Sequence, residues 1–472
     1  MKKFYITTTL PYVNAEPHIG FALEIVQADV IARYQRQQGK EVFFNTGTDE
    51  HGLKIYRNAI EQGKDPQQYV DGHAAKFDAL RDALHLSYNK FIRTHDPRHI
   101  AAAQDFWQRC DANGDIYKKA YKIKYCVGCE LEKIESELVD GRCELHPKLQ
   151  LELIEEENYF FRFSKYQTAL LELYEKNSEF VIPAHRLTEI KNFVAKGLED
   201  FSISRLKSKL PWGVPVPGDP DHTMYVWFEA LVNYISTLDW PTGKQFKQFW
   251  PGMQVAGKDN LRQQSAMWQA MLLSAGVAPS TKIFIHGFIN IDGGKMSKSL
   301  GNVVDPFALV EKYGTEPVRY YLLRYIHPTE DSDFSFEKFE EGYTADLANG
   351  LGNLVSRVTG LIEQNGVTIK LKKFKSDATL NQCIENFEFD RALKHIWDKV
   401  AQADGIISEK KPWELAKAGK NKEVTAILNE VANIVFTISQ SLTPFLPTTA
   451  EKIEKIITAK KVKKADPLFP RL

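Results

Sequence analysis

Phe4 to Phe21 reads FYITTTLPYVNAEPHIGF, and the fold turns on how that run divides. Phe4 to Thr9 is aromatic and β-branched and stops at Leu10-Pro11, which is the pattern of a strand. After Gly20, the residues Leu23, Val26, Val30, Ile31 and Tyr34 fall on one helical face, and Gly39 closes the helix. Val42 to Asn45 is a second strand, leading into the loop Thr46-Gly47-Thr48-Asp49-Glu50-His51-Gly52. Strand, loop, helix, strand is a βαβ unit, so a parallel sheet with sites at its strand C-terminal ends is expected. Pro17-His18-Ile19-Gly20 sits at the hand-over from strand to helix, where open N–H groups and the positive dipole end suit a phosphate. The blander alternative is that His18 only caps the helix and Gly20 only lets it approach the sheet.

A second stretch carries complementary chemistry. Lys282 to His286 is another short β-type run, and Gly287 to Asn302 follows as GFINIDGGKMSKSLGN. Gly293 and Gly294 give that loop freedom at positive φ. Lys295 and Lys298, with Ser297 and Ser299, supply charges and donors for phosphate oxygens. Alone it reads as a solvated basic loop; paired with His18 it reads as half of a nucleotide site.

The chain has 472 residues, more than one core holds, so two to four domains are expected. Lys plus Arg (61) equals Asp plus Glu (61), so any nucleic-acid contact must come from local patches, not from an overall basic field. Threonines and Pro11 interrupt the start of the chain before a signal-peptide core forms, and no apolar run is long enough to span a membrane. Five clustered cysteines argue against a disulfide framework. A cytoplasmic protein is expected.

Cys126-x2-Cys129 and, 13 residues on, Cys143-x2-His146 have the ligand spacing of a structural zinc knuckle. The proline-rich Trp212 to Asp221 reads as the return path to the sheet domain. Met224 to Phe228 is a strand candidate, followed by a helix face at Ala230, Tyr234 and Leu238. Val255-Ala256-Gly257-Lys258-Asp259 is a strand end carrying a carboxylate where a ribose hydroxyl is usually gripped. The sheet domain is thus expected in two halves around a metal-bearing insert. Beyond Lys338 helical patterns dominate: Leu347 to Leu361, Leu380 to Ile407, Lys422 to Leu442 and Thr448 to Ile457, an all-helical bundle. Its basic runs, Lys370 to Lys375 and Lys460 to Lys464, read as solvated faces. Asn353 and Arg357 lie four apart on one helix face. Trp413, just after Pro412, is either a core residue or a stacking platform for an unpaired base.

Together LPYVNAEPHIG, FFNTGTDEHG, the Cys/His set, YVWFEAL, GKD, HGFINIDGGKMSKSLGN and KPWELAK resemble the motifs of the methionyl-tRNA synthetase family, from Phe4 to the terminal LFPRL. The resemblance implies a Rossmann-like α/β catalytic domain, a zinc-knuckle insertion and an all-α helical-bundle anticodon-binding domain. Its boundaries are expected at 1–114 and 211–320 for the two catalytic halves and 115–210 for the insertion. A linker at 321–345 and the helical domain at 346–472 follow. It implies methionine activation by ATP with Mg²⁺, transfer to tRNA(Met), both elongator and initiator, and one structural Zn²⁺ on Cys126, Cys129, Cys143 and His146.

Residue by residue, the resemblance assigns His18, Lys295 and Lys298 to catalysis and to the ATP phosphates. Gly20, Phe21, Gly257, Asp259 and His286 would line the nucleotide. Leu10, Tyr12, Asp49, Arg205, Trp227, Ala230, Tyr234 and Gln264 would hold methionine, with Asp49 on the ammonium. Asn353, Arg357 and Trp413 would read the anticodon. Three departures stand out. Phe21 replaces the second histidine of the family's HIGH motif, Gln264 stands where relatives commonly have histidine, and the sequence stops at Leu472 without an extra C-terminal domain. On that last ground a monomer is expected.

Overall fold

The structure is a computed structural model. It describes residues 1–472 apart from 134–137, 292 and 296–301, and apart from the side chains of Tyr121, Ile123, Leu131, Glu132, Ile154 and Lys295. The chain forms two compact units. One comprises Met1–Pro17, Glu41–Arg81 and Tyr88–His286; the other comprises His18–Lys40, Asp82–Ser87 and Gly287–Leu472.

The first unit is built on a six-stranded parallel sheet. Its strands, in spatial order, are Lys90–Arg93, Glu41–Thr48, Lys3–Thr8, Met253–Gly257, Lys282–His286 and Val181–Ile182. The pair Lys3–Thr8 and Met253–Gly257 lies at the centre, where the strand order reverses between the two sides. Their C-terminal ends therefore form the crevice where such sheets take ligands. Central strands buried on both faces need apolar residues throughout, which Ile6, Phe44, Val255, Ile283 and Ile285 supply at 0% exposure.

Between the sheet's halves the chain makes a separate antiparallel sheet, in which Ile116–Cys126 pairs along its length with Glu152–Phe161. The expected insert between two halves is thus present, although its Val181–Ile182 joins the edge of the main sheet. Met224 to Phe228 is not a strand. The strand Asp219–Met224 ends there, and helical turns follow through Val226–Glu229, Ala230–Val232 and Asn233–Ser236. Trp227, Ala230 and Tyr234 are spaced three and four apart, a helical rhythm that overrides the β-propensity of the aromatic run.

In the second unit the helix Ile19–Gln37 is tied to the helix Thr315–Arg324 by a fully buried ion pair, Arg319 to Asp29 at 2.9 Å. Arg319 also donates to the carbonyls of Phe445 (2.8 Å) and Leu84 (3.0 Å), so the buried guanidinium is satisfied on several sides. The bundle contains Ala378–Glu385, Phe389–Lys410, Asn421–Leu442 and Pro447–Ile457. The expected single helix from Leu380 to Ile407 is two, because Phe387 takes a left-handed conformation (φ 63°) that a continuous helix cannot contain. Leu393, Ile396, Val400 and Ile407 form the buried stripe of the longer helix. Each such side chain contributes about 1.5–3 kcal/mol when fully buried.

Candidate active site

Asp49 follows directly on the strand Glu41–Thr48 and is held by its backbone. Its N–H donates to Pro11 (3.0 Å) and its carbonyl accepts from Val13 (3.1 Å), in a parallel bridge with Tyr12. The carboxyl group is buried and accepts the N–H of His51, while its Oδ1 finds no partner among the described residues. Burial, reinforced by the charges of Glu229, Glu50 and Glu130, pushes this carboxyl well above the usual carboxylate range. A buried carboxyl without a counter-charge is a ready place for a cation.

Around it the walls are aromatic. Tyr12, Trp227 and Ala230 pack in one cluster with Tyr125, Tyr225 and Val226. Arg205 is buried on the rim, its guanidinium 4.7 Å from the Tyr225 ring and 5.2 Å from the Tyr125 ring, donating to the Ser202 hydroxyl at 2.7 Å. Tyr125, Tyr225, Val226, Arg205 and Glu130 line a cavity of about 490 Å³. Gly52 (φ 118°) also lines it, and a Cβ there would lie 2.0 Å from the Tyr12 hydroxyl, so only glycine allows the approach.

Two further expected pocket residues are held by partners of their own. Tyr234 belongs to the main core, edge-on to Trp268 at 5.8 Å. Gln264 lies in a π-turn, its amide oxygen accepting from Gln254 at 2.8 Å. Leu10 is half-buried. Tyr125, Tyr225 and Glu130 escaped the sequence reading. Tyr125 and Glu130 flank the first cysteine pair, and Tyr225 opens the YVWFEAL run, so each sits inside a motif read for another purpose.

The residues expected at the nucleotide are found in both units. In the first, Gly257 and His286 are register partners at the ends of adjacent parallel strands. A Cβ on Gly257 would come within 2.8 Å of the Asp259 carboxylate, so the glycine clears room for that group. In the second, His18 is the N-cap of Ile19–Gln37, and its Nδ1 accepts from the Gly20 N–H at 3.1 Å. The neutral ring then carries its proton on Nε2, as a donor. The capping role and a phosphate-donating role are therefore compatible. Phe21 is half-buried on the first turn. The backbone of Lys295 pairs with Asn290, and Lys298 lies outside the described residues.

In the insert, ligand atoms of Cys126, Cys129, Cys143 and His146 lie within 4.8 Å of one another, with Cys129 to Cys143 at 3.4 Å and Cys126 to His146 at 3.8 Å. Tetrahedral zinc with Zn–S of about 2.3 Å and Zn–N of about 2.0 Å needs ligand separations of roughly 3.5–3.8 Å. A Cβ on Gly128 would come within 2.6 Å of the His146 ring, so Gly128 is what admits that ring. The four residues fit a closed metal site, and the cysteines form no disulfide.

In the helical region, Asn353 is exposed at the start of Asn353–Gln364, and Arg357 lies one turn on. The Arg357 guanidinium stands 5.3 Å from the Trp413 ring and donates to Asp404 at 2.8 Å. Spacing had paired Asn353 with Arg357; the fold adds Trp413.

The family model described as tRNA synthetases class I (M) matches residues 4–148 and 131–359. The chain therefore belongs to the class I tRNA synthetases. The methionine–tRNA ligase of Synechocystis sp. is 42% identical over 472 residues, covering 95% of this chain and 88% of that protein. That of Thermotoga maritima is 40% identical over 470 residues, covering 96% and 74%. Among solved structures, Mycobacterium tuberculosis methionyl-tRNA synthetase in complex with methionyl-adenylate matches with a TM-score of 0.93 at 35% identity, covering 100% of both chains. Within its class the chain is a member of the methionine–tRNA ligase family. No helix among the described residues is long and apolar enough to cross a membrane.

Proposed function

We propose that the chain joins methionine to tRNA(Met) in two steps, using the residues described above in the following roles. A carboxylate oxygen of methionine attacks the α-phosphorus of ATP, the bond to the β,γ-phosphates breaks, and methionyl-adenylate and pyrophosphate form. The methionyl group then passes to a hydroxyl at the 3′ end of the tRNA, releasing AMP. Asp49 holds the ammonium, Arg205 stands on the rim, and Tyr12, Trp227 and Ala230 hold the thioether, whose polarizable sulfur suits aromatic walls. Leu10, Tyr234 and Gln264 support that pocket.

Charge grows on the phosphates during attack, so catalysis is chiefly positioning and electrostatics. His18 Nε2–H, Lys295 and Lys298 act there, Gly20 and Phe21 border the nucleotide, and Asp259, Gly257 and His286 receive its sugar. Mg²⁺ accompanies ATP, and Zn²⁺ is the ion held by Cys126, Cys129, Cys143 and His146. Asn353, Arg357 and Trp413 read the unpaired anticodon of elongator and initiator tRNA. The boundaries at 114, 210, 320 and 345 divide these tasks.

The observation that carries the reading is the buried, uncompensated carboxyl of Asp49, bridged through its backbone to Tyr12 of the aromatic cluster, in a chain of this family. The test is amino-acid-dependent exchange of labelled pyrophosphate into ATP. Methionine should support it; preference for leucine or cysteine, or tRNA binding without any exchange, would overturn the reading. For the metal, chelation should expose the insert to protease, and an unchanged digestion pattern and circular dichroism would remove the zinc assignment.

A further inference from the structure

Behind Asp49 lies a buried acid that the proposed reaction does not use. Glu229 is held between two imidazoles, His51 Nδ1 at 2.9 Å from one oxygen and His99 Nε2 at 3.0 Å from the other, and all three residues are buried. The second nitrogen of each ring is also engaged: His51 Nε2 faces His95 Nδ1 at 3.1 Å, and His99 Nδ1 faces the Ser236 hydroxyl at 2.9 Å. Each ring can donate to Glu229 through one nitrogen while its other nitrogen accepts. Burial alone would raise the Glu229 carboxyl, but the two histidines bring it net below its ordinary range.

Asp49 is tied to this acid through His51, whose backbone N–H reaches the Asp49 carboxyl and whose ring binds Glu229 at 2.9 Å. Its other titratable neighbours are Glu50 and His51 on its own segment, Tyr12 across the backbone bridge, and Glu130 from the insert. Each neighbouring carboxylate has partners of its own. Arg93 donates to Glu50 at 2.6 and 2.9 Å, the imidazoles serve Glu229, and Glu130 accepts from the Tyr12 hydroxyl at 3.0 Å and the Lys54 N–H at 2.6 Å. Among the described residues no cation pairs with Asp49, and its Oδ1 is unpartnered. A carboxyl so placed is more easily kept neutral than charged.

We propose that Asp49 carries a proton in the empty pocket and releases it to solvent when the substrate ammonium arrives, with Glu229 as the positioning residue that sets this exchange. The proposal rests on the reading of Asp49 as the ammonium's partner. The balance is simple: a neutral carboxyl and an ammonium become a carboxylate–ammonium pair and one free proton. Methionine affinity should therefore rise about tenfold per pH unit below the titration of Asp49. A carboxyl with an ordinary pKa of about 4 would leave affinity flat near neutrality.

The test is calorimetric titration of methionine into the full chain at pH 7, in two buffers of different ionisation enthalpy. The expected result is net proton release on methionine binding, abolished in Asp49→Asn. In Glu229→Gln the release at pH 7 should shrink, and the pH profile of affinity should move to lower pH. A merely structural role would weaken binding without moving that profile. Methionine binding with buffer-independent heat and a flat pH profile would overturn the proposal and leave the pocket assignment standing. No methionine binding by the unmodified chain would overturn both. Undiminished release in Glu229→Gln would remove Glu229 from the exchange; if that variant does not fold, the two-buffer result on the unmodified chain still decides the proton release.

Discussion

The proposed amino-acid pocket and the proposed anticodon face carrying Trp413 handle charge in opposite ways. In the pocket, Asp49 is 7% exposed and lacks a counter-charge. On the helical face, the Arg357 side chain is 30% exposed, paired with Asp404 and set against an indole. A small zwitterion gives recognition only one ammonium, so the pocket concentrates its effect in a single desolvated group, where electrostatics are strong. An unpaired base offers a flat π-face and stays partly wet. A half-exposed platform with an arginine beside it suits that task at little desolvation cost. The difference teaches where each site is vulnerable: the pocket to loss of one charge, the helical face to loss of one surface.

The sharpest way to break this comparison is Asp49→Asn. Removing one partner of a buried charge pair costs about 2–5 kcal/mol, so kcat/KM for methionine in pyrophosphate exchange should fall by roughly 10²–10³. A loss below about tenfold would mean that the pocket does not depend on this charge. Trp413→Ala comes next. Losing one base-stacking surface costs about 1–3 kcal/mol, so kcat/KM for tRNA charging should drop about 10- to 100-fold. The loss should fall far more on charging than on pyrophosphate exchange; equal losses in both would erase the separation of tasks. Asp404→Ala should matter least. A half-exposed ion pair contributes about 1 kcal/mol or less, so charging should change by no more than about fivefold. An effect larger than that of Trp413→Ala would mean that pairing, not stacking, holds Arg357 in place.

How much of this was legible beforehand differs by feature. The parallel sheet followed from β-branched runs alternating with a helical repeat, and its strands lie where Phe4 to Thr9, Val42 to Asn45 and Lys282 to His286 indicated. The candidate metal ligands followed from two x2 pairs, and the fold brings all four together. The Met224 to Phe228 run misled, because an aromatic cluster reads as strand until the helical spacing of Trp227, Ala230 and Tyr234 is given weight. Glu130 was illegible as a pocket residue: its carboxylate reaches Tyr12, 118 positions away in the chain.

By itself, then, the sequence determined the features that neighbours along the chain can encode. These are the sheet's strands, the cysteine–histidine chelate, and the His18 cap two residues from the N–H it receives. Only the tertiary structure decided the electrostatics of the pocket. His51 and Glu229 are 178 positions apart, and neither carries a local pattern that announces the other. The charge state of a buried group depends on every dipole and ion folded around it and on the water they exclude. That sum exists only once distant segments have closed over the site.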